Sequence, residues 1–366
     1  MAKPTIIDLI AGARPNFMKI APIIHALRLH KGFHYRLIHT GQHYDNNMSS
    51  VFFEQLDIPD PEINLSAGGG TQAEQTAAIM IGYEKVLASQ KSDLCVVVGD
   101  VTSTMACAIV AQKMHVPVAH VEGGIRSGDW TMPEEINRMV TDSITNYFFT
   151  TSHIANENLL KIGVNEKNIF FVGNTMIDTL LKNRLKFSQP DIWNQIKLKE
   201  KEYIVITLHR PANVDEEDGL KILINEIMVN TKELPIIFPV HPRTLKILNH
   251  IGISHPRLHL VEPLGYLEFN YLVEHSKAVI TDSGGITEET TVMGIPCITL
   301  RDNTERPETI TVGTNELIGT NPKAIKPVME VLFSGKWKKG SIPELWDGHA
   351  AERIVSKIID IFSMQS

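Results

Sequence analysis

Candidate acid and base side chains lie where apolar segments of the chain give way to polar ones. Asp100 comes directly after the apolar run LCVVVG, and Glu122 comes directly after VPVAHV. The stretch HVEGGIRSGDWTMPEEINR (120–138) then adds Glu134. A carboxylate at the end of a buried strand faces the crevice in which open α/β sheets bind ligands, and there it can give or take a proton. Asp100, Glu122 and Glu134 are therefore candidate catalytic groups.

Local structural roles compete with chemistry for two of these carboxylates. Asp100 precedes a helical pattern and suits an N-cap. Thr131 and Glu134 have the spacing of a capping box, and Pro133 suits a first turn. Glu134 and Arg138 are four residues apart, so an ion pair on one helix face is open to them. Taken alone, Glu134 is better explained by capping than by catalysis.

A histidine and an arginine follow another apolar run, YIVITL (203–208). They are His209 and Arg210 in the segment TLHRPANVD. A single histidine at such a place is commonly structural. Beside three carboxylates, however, an imidazole suits the removal of a proton from carbon with acid assistance to a leaving group. His209 is therefore the fourth catalytic candidate.

A phosphate site is a candidate in AVITDSGGITEETTVMG (278–294), which reads as a strand, a turn and a helix. Its turn consists of Ser283, Gly284 and Gly285. Glycines allow close approach of the backbone, and a helix N-terminus offers free N–H groups to a diphosphate. Glu288 and Glu289 are then expected in the first helical turn, where they can accept hydrogen bonds from ribose. A helix capped by Asp282 or Ser283 is the structural alternative.

Basic side chains follow the other strand-like runs, in the loops ARPNFMK, HPRT and RDNTERPE. They are Arg14, Lys19, His241, Arg243, Arg301 and Arg306. Cations at the start of a helix oppose its dipole, so contact with an anionic ligand explains Arg14 and Lys19 better than a structural role does. Guanidinium groups match phosphate oxygens bidentately. The first loop lacks the GxGxxG pattern, which argues against a nicotinamide site of the usual form.

The elements that must position these residues are short apolar strands that alternate with helical patterns. The first set of strands is 5–11, 35–40, 94–99 and 116–121, and the second is 203–208, 234–240, 259–264, 278–282 and 296–300. Continuous apolar strands separated by helices indicate parallel sheets covered on both faces. The sequence therefore predicts two doubly wound α/β domains that face a central cleft, 1–175 and 176–366, with a last helix (350–362) that could return to the first.

Bulk composition excludes several classes of protein. The 366 residues are 43% hydrophobic and 21% charged, with a net charge of −7, so neither disorder nor a surface for nucleic acid or anionic membranes is indicated. No apolar run approaches the roughly 20 residues of a membrane span, and no signal peptide is visible. Three cysteines without CxxC spacing indicate structural thiols in a reducing compartment. A cytoplasmic location is expected.

A specific resemblance is carried by several blocks that occur in order along nearly the whole chain. They read GARPNFMK, GQHYD, GDVTST, VEGGIRSGDWTMPEEINR, GNTMID, TLHRPANVD, PVHPRT, TDSGGITEE and RDNTERPE. Together they resemble the non-hydrolysing UDP-N-acetylglucosamine 2-epimerases. The resemblance implies a GT-B-type fold of two Rossmann-like domains, a cytosolic homodimer, a UDP-sugar substrate, and no metal or nicotinamide cofactor.

The resemblance also implies a mechanism and residue roles. UDP leaves by elimination across C1–C2 to give a 2-acetamidoglucal, and then adds back while C2 is protonated on the opposite face. The catalytic carboxylates would be Asp100, Glu122 and Glu134, assisted by His209. Contacts with UDP or the sugar would come from Arg14, Lys19, His241, Ser283, Glu289 and Arg306, with Arg138, Arg210, Gly284 and Gly285 as further substrate-binding candidates.

Departures from the family pattern leave two alternatives open. The segment between Asp129 and Pro133 is short for the family, which bears on the placement of Glu134. GQHYD (41–45) lacks the fuller polar pattern of an activating second UDP-sugar site. Nearly the same motifs occur in 2-epimerases of related UDP-2-acetamido sugars. A GT-B glycosyltransferase with a UDP-sugar donor is the second alternative, although it has no need for three carboxylates in the first domain.

Overall fold

The computed structural model describes residues 4–41, 53–240 and 242–364. The chain divides into two compact units, one comprising Met1–Lys182 with Glu344–Ser366 and the other Asn183–Pro343. The sequence places the boundary between residues 175 and 176, whereas the structure places it at the end of the helix that begins there. The last helix, which the sequence analysis counts with the second domain while allowing its return to the first, belongs to the first unit.

The first unit is built on a seven-stranded parallel sheet. Its strands are β1 (Thr5–Ala11), β2 (Phe33–His39), β3 (Ile63–Asn64), β4 (Leu94–Val98), β5 (Val118–Val121), β6 (Tyr147–Thr150) and β7 (Ile169–Phe171). They lie in the order β3-β2-β1-β4-β5-β6-β7. Every residue of β4 and β5 is buried, because helices cover both faces of the sheet.

Helices alternate with these strands along the chain. They are α1 (Arg14–Leu27), α2 (Gln72–Ser89), α3 (Thr102–Lys113), α4 (Pro133–Ile144), α5 (His153–Lys161) and α6 (Thr175–Asn183), with α15 (Ala350–Ser363) at the end of the chain. A short 3-10 helix occupies Glu166–Asn168. The order β1-α1-β2 and the parallel pairing of consecutive strands are typical of a doubly wound fold.

The second unit repeats this architecture with a six-stranded parallel sheet. Its strands are β8 (Ile204–Thr207), β9 (Ile236–Pro239), β10 (Leu258–Val261), β11 (Ala278–Thr281), β12 (Cys297–Thr299) and β13 (Asn315–Leu317). They lie in the order β10-β9-β8-β11-β12-β13. Ile204, Ile206, Phe238 and Ile280 are among the side chains that fill the core on one face of this sheet.

Its helices are α7 (Asp191–Gln195), α8 (Pro211–Val214), α9 (Glu217–Asn230), α10 (Pro242–His250), α11 (Tyr266–His275), α12 (Gly284–Met293), α13 (Pro307–Thr311) and α14 (Ile325–Phe333). Short 3-10 helices occupy Arg184–Lys186 and Pro322–Ala324. In the described ranges of both units, no helix has the length and apolar character of a membrane span.

Two parallel sheets with alternating helices confirm the predicted fold class, two Rossmann-like domains. Four strands, β3, β6, β7 and β13, are not among those predicted from the sequence. These strands are only two to four residues long, and three of them, β3, β7 and β13, are edge strands with half-buried residues. Strands so short lack the long apolar run that reveals β1 or β4 in the sequence.

The last helix is fixed to the first unit by a carboxylate. Asp178 on α6 accepts hydrogen bonds from the backbone N–H groups of Ala350 (3.1 Å) and Ala351 (2.7 Å). It thus pairs two of the N–H groups that a helix start leaves unsatisfied. Burial raises the pKa of Asp178 to about 6, although the two N–H donors act against that rise.

The three cysteines are buried free thiols, as the sequence analysis predicts. Burial raises the pKa of each thiol, to about 12 for Cys297, so these side chains stay protonated near neutral pH.

Candidate active site

Glu122 leaves β5 as a buried carboxylate that is paired with a lysine. Its Oε2 lies 2.7 Å from Nζ of Lys19, and both residues are at most 9% exposed. The backbone of Glu122 is left-handed, with φ at 69°. Its N–H donates to the carbonyl of Phe149 at 2.9 Å, which secures that conformation against β6. A buried charge must be paired to be tolerated, so Lys19 supports an ionised Glu122.

The turn after β1 brings Lys19 to this position. Asn16 accepts the N–H groups of Gly12 (3.0 Å) and Ala13 (2.9 Å) and donates Nδ2 to the carbonyl of Val98 (3.0 Å). This buried amide therefore ties the β1–α1 turn to the end of β4. Arg14 is the first residue of α1 and is exposed.

Asp100 is held by the arginine of the PEEINR motif. The guanidinium of Arg138 contacts its carboxylate, and Nδ2 of Asn137 donates to its backbone carbonyl at 2.8 Å. The N-cap of α3 is Val101, without a side-chain cap, so the N-cap alternative for Asp100 is wrong. Arg138 is 3% exposed and has two carboxylate partners, whereas the sequence analysis makes it a substrate contact. That contact stays a prediction.

The second partner of Arg138 is Glu135, which the sequence analysis overlooks. Nη1 of Arg138 lies 2.7 Å from Oε2 of Glu135. This ion pair joins residues three apart and differs from the Glu134–Arg138 pair considered from the sequence. Glu135 also accepts the N–H and hydroxyl of Ser127 and the N–H of Gly128, each at 3.0 Å. Burial raises the pKa of Glu135, but these donors more than offset it, and the pKa falls below its usual value.

The capping box proposed for Thr131 and Glu134 is wrong. The N-cap of α4 is Met132, without a side-chain hydrogen bond, and the hydroxyl of Thr131 donates instead to Asp129 at 2.6 Å. Glu134 is in the first turn of α4 and is half-buried, next to the fully buried Glu135. The local structural explanation for Glu134 therefore fails, and its catalytic role stays a prediction.

Asp142, at the other end of the buried face of α4, joins the Glu122 turn to the sheet. Its carboxylate contacts Nδ1 of His120 (2.7 Å), Arg126 (2.6 Å) and the N–H of Gly124 (3.0 Å). Burial raises the pKa of Asp142, but His120 and Arg126 outweigh burial and hold that pKa below its ordinary value. One face of α4 therefore fixes both loops that carry Asp100 and Glu122.

In the second unit, His209 leaves β8 with its ring against a buried carboxylate. Nδ1 lies 2.8 Å from Oδ1 of Asp282, and the histidine side chain is 59% exposed. Asp282 also accepts the N–H of His209 (3.1 Å), the N–H of Arg210 (3.0 Å) and Nδ2 of Asn213 (3.0 Å). Burial raises the pKa of Asp282, yet these contacts, His209 first among them, keep it below its usual value. Arg210 donates Nε to the carbonyl of Asp282 at 3.0 Å.

The Ser-Gly-Gly turn does begin a helix, α12, but without the proposed cap. Ser283 is the N-cap and makes no side-chain cap hydrogen bond, and Asp282 is engaged by the His209 loop. Gly284 and Gly285 are the first two residues of the helix. A Cβ on Gly284 would lie 2.7 Å from Oε1 of Glu305, so a larger residue there would have to displace that side chain. Backbone N–H groups at this start are suited to a phosphate.

Glu288 and Glu289 are not in the first turn of α12, which contains no acidic residue. Both lie in the next turn and are buried, Glu288 at 1% and Glu289 at 5% exposure. The carboxylate of Glu288 contacts the guanidinium of Arg306, which is also buried. Arg301 pairs in the same loop with Glu305 at 2.6 Å. His241 lies outside the described residues.

The predicted site residues thus form one group in each unit. At the carboxyl edge of the first sheet the structure brings together Lys19, Glu122, Asp100 and Arg138. At the carboxyl edge of the second it places His209, Arg210, Ser283, Gly284 and Gly285 after β8 and β11. Two parallel sheets with charged residues at their carboxyl ends define an α/β protein of the Rossmann-like class.

Comparison with known proteins narrows the class. A family model described as UDP-N-acetylglucosamine 2-epimerase matches residues 25–359. The chain is 42% identical to the UDP-N-acetylglucosamine 2-epimerase of Methanocaldococcus jannaschii, over 95% of this chain and 97% of that protein. The crystal structure of the enzyme from that organism in complex with UDP-GlcNAc and UDP gives a TM-score of 0.87 at 41% identity, covering 97% of this chain and 99% of the other.

A further relative is named for a different sugar. The UDP-2,3-diacetamido-2,3-dideoxy-D-glucuronate 2-epimerase of Pseudomonas aeruginosa is 39% identical, over 85% of this chain and 87% of that protein. The family match covers most of the chain. The chain belongs to the UDP-N-acetylglucosamine 2-epimerase family, whose members are isomerases.

Proposed function

We propose that the protein catalyses the reversible epimerisation of UDP-N-acetylglucosamine at C2 to give UDP-N-acetylmannosamine, without hydrolysis. Membership of the family supports the reaction. The observation that carries it is the pair of strand-end carboxylates in the first unit, Glu122 and Asp100, each held against a buried cation. A binding protein would have no need to place two charged carboxylates at buried strand ends, where they cost desolvation.

The reaction depends on the leaving ability of UDP, because C2 has no neighbouring carbonyl and its proton becomes acidic only as the C1–O bond breaks. A base removes the C2 proton while the electrons of the C1–O bond leave with UDP, which gives a 2-acetamidoglucal. The diphosphate oxygen then attacks C1 as an acid returns a proton to the opposite face of C2. Two proton-transfer groups are needed because the two protons are exchanged on opposite faces. The first unit offers three candidates for these two roles, Asp100, Glu122 and Glu134.

The second unit supplies leaving-group stabilisation in this proposal. Charge grows on the diphosphate as the C1–O bond breaks, and preorganised donors stabilise such charge best. The start of α12 offers backbone N–H groups at Gly284 and Gly285, and Arg306 lies in the neighbouring loop against Glu288. His209 presents an imidazole whose Nδ1 is already engaged by Asp282. We assign it to assist UDP departure and return.

The mechanism is tested by NMR of UDP-N-acetylglucosamine with the pure protein in deuterated water. We expect the C2 epimer to form and deuterium to enter C2 of both sugars. Epimerisation without exchange at C2 would overturn the proton-transfer mechanism. Absence of both epimerisation and exchange would overturn the proposed function for this sugar.

Two matched variants separate an enzyme from a UDP-sugar sensor. Asp100→Asn and Glu122→Gln keep side-chain size but remove the exchangeable charge, and each is expected to lower kcat by about 10²-fold or more. Glu157→Gln, an exposed residue of α5 in the same unit, is the control and is expected to retain the wild-type rate. Unchanged epimerisation in D100N and E122Q would exclude these carboxylates as acid and base.

A related UDP-2-acetamido sugar is the second candidate substrate, favoured by the 39% identity with the diacetamidoglucuronate 2-epimerase. Incubation with a small panel of UDP-2-acetamido sugars, each followed at C2, decides between the two. Release of UDP only when an acceptor is added would instead indicate a glycosyltransferase. We further propose that the product supplies cell-surface polysaccharide synthesis and that the protein acts as a homodimer, which light scattering would test.

A further inference from the structure

A second histidine, His120, lies two residues before Glu122 inside β5, and both of its ring nitrogens are engaged. Nε2 lies 2.8 Å from the carbonyl oxygen of Gly99, and Nδ1 lies 2.7 Å from Oδ1 of Asp142. His120 is 1% exposed and the Asp142 side chain is fully buried. No substrate can touch a ring so enclosed, so any contribution to catalysis must act through its neighbours.

The carbonyl that His120 holds belongs to the peptide bond joining Gly99 to Asp100. Gly99 follows β4 and lies in the left-handed region, with φ at 67°, and a Cβ there would lie 3.0 Å from Nζ of Lys19. A hydrogen bond to this carbonyl fixes the rotation of the Gly99–Asp100 peptide, which sets the direction in which Asp100 leaves the strand. His120 therefore controls the backbone beneath one candidate carboxylate.

The other nitrogen of the ring reaches the loop of the second carboxylate. Asp142, which Nδ1 contacts, also accepts the N–H of Gly124 at 3.0 Å and pairs with Arg126 at 2.6 Å. Gly124 and Arg126 lie in the turn that follows Glu122. The ring thus connects the backbone next to Asp100 with the turn after Glu122, through two hydrogen bonds in a buried setting where such bonds are strong.

We propose that His120 is a positioning residue that fixes the direction in which Asp100 leaves its strand, and hence the distance of Asp100 from Glu122, with the Nε2 bond to Gly99 as the bond that matters for rate. This inference rests on the proposed epimerase function. Proton transfer depends steeply on geometry, and a misplacement of about 1 Å can cost about 10²-fold in rate. Substrate affinity should change little, because His120 contacts neither the sugar nor UDP.

Two variants separate the nitrogens. The amide nitrogen of glutamine reaches the position of Nε2, and that of asparagine reaches the position of Nδ1. His120→Gln therefore keeps the bond to Gly99, and His120→Asn keeps only the contact with Asp142. In the epimerisation assay, H120N should lose about 10- to 100-fold in kcat with KM within about threefold, whereas H120Q should retain kcat within about threefold.

Controls keep the result specific to the Gly99 bond. All variants are assayed well below their melting temperatures, and His34→Asn on β2 of the same sheet, where the side chain is half exposed, should match wild type. If H120N does not fold, His120→Met, which has a similar volume and no donor, replaces it against H120Q.

Equal losses in the glutamine variant and its donor-lacking counterpart, or no loss in either, would overturn the proposal. A wild-type protein that neither epimerises nor exchanges C2 would instead overturn the proposed function.

Discussion

Each unit contains a histidine paired with a buried aspartate at the carboxyl edge of its sheet, and the two pairs differ in what the second ring nitrogen meets. In the first unit, His120 is 1% exposed. Asp142 engages one of its ring nitrogens, and the other, Nε2, contacts the backbone carbonyl of Gly99. In the second, the His209 side chain is 59% exposed, and Asp282 engages only Nδ1. The same two residue types, histidine and aspartate, therefore have different roles in the two units. The difference comes from how deeply each histidine ring is buried.

The shared part of the two pairs is the carboxylate. Asp142 and Asp282 both have pKa values held below the ordinary range, because the contacts of each with its histidine and other donors outweigh the cost of burial. A carboxylate on Nδ1 fixes the ring orientation and leaves Nε2 to face its surroundings. At His120 those surroundings are a peptide group, and the ring holds the backbone without meeting a ligand. At His209 they include solvent, and the ring can meet a ligand.

The largest effect that tests this difference is expected at His209. If its Nε2 exchanges a proton, an amide cannot replace it, so His209→Asn and His209→Gln should both lower kcat by about 10²-fold with little change in melting temperature. This contrasts with His120, where glutamine is expected to rescue the rate. Steady-state kinetics of both variants measure kcat, and thermal unfolding measures their melting temperatures. Rescue of kcat by H209Q would show that the two pairs have the same role.

Acid stability should sharpen the common part of the comparison. A carboxylate whose folded pKa is depressed contributes stability above its unfolded pKa of about 3.9, and loses it as the pH falls through the lower folded value. Asp142→Asn should therefore reduce the free energy of unfolding by about 2 kcal/mol near pH 7, with the deficit shrinking below about pH 4. Urea unfolding at a series of pH values gives the comparison.

The control for that series is Asp60→Asn, an exposed aspartate of the same unit, which should follow wild type at every pH. A deficit in D142N that stays constant down to pH 3 would contradict the assignment of acid-labile stability to this carboxylate. Asp178 has the opposite sign: burial raises its pKa to about 6, so its ionisation costs stability as the pH rises from about 4 to about 6.

The sequence reveals the ends of the strands more readily than the partners of the side chains. Asp100 and Glu122 follow long apolar runs, so their position at a sheet edge follows from local pattern. From its position on the helix, Arg138 could pair with Glu134 at i,i+4 or with Glu135 at i,i+3. In the structure it pairs with Glu135 and also contacts Asp100, which is remote in sequence. His120 is hidden within an apolar strand, and nothing in the pattern shows that a glycine carbonyl faces it.

The smallest expected effect concerns Gly99, whose carbonyl contacts His120. Gly99→Ala places a methyl group in a left-handed backbone, which costs about 1 kcal/mol of stability. Gly163→Ala carries the same penalty, since its φ is 88°, but its Cβ would meet nothing within 4 Å. Only the Gly99 methyl group presses on Nζ of Lys19, 3.0 Å away, and hence on the partner of Glu122. Both variants should lose similar stability, while kcat should fall only in G99A. Equal kcat in the two variants would mean that the buried Lys19–Glu122 pair supports the fold and not the rate.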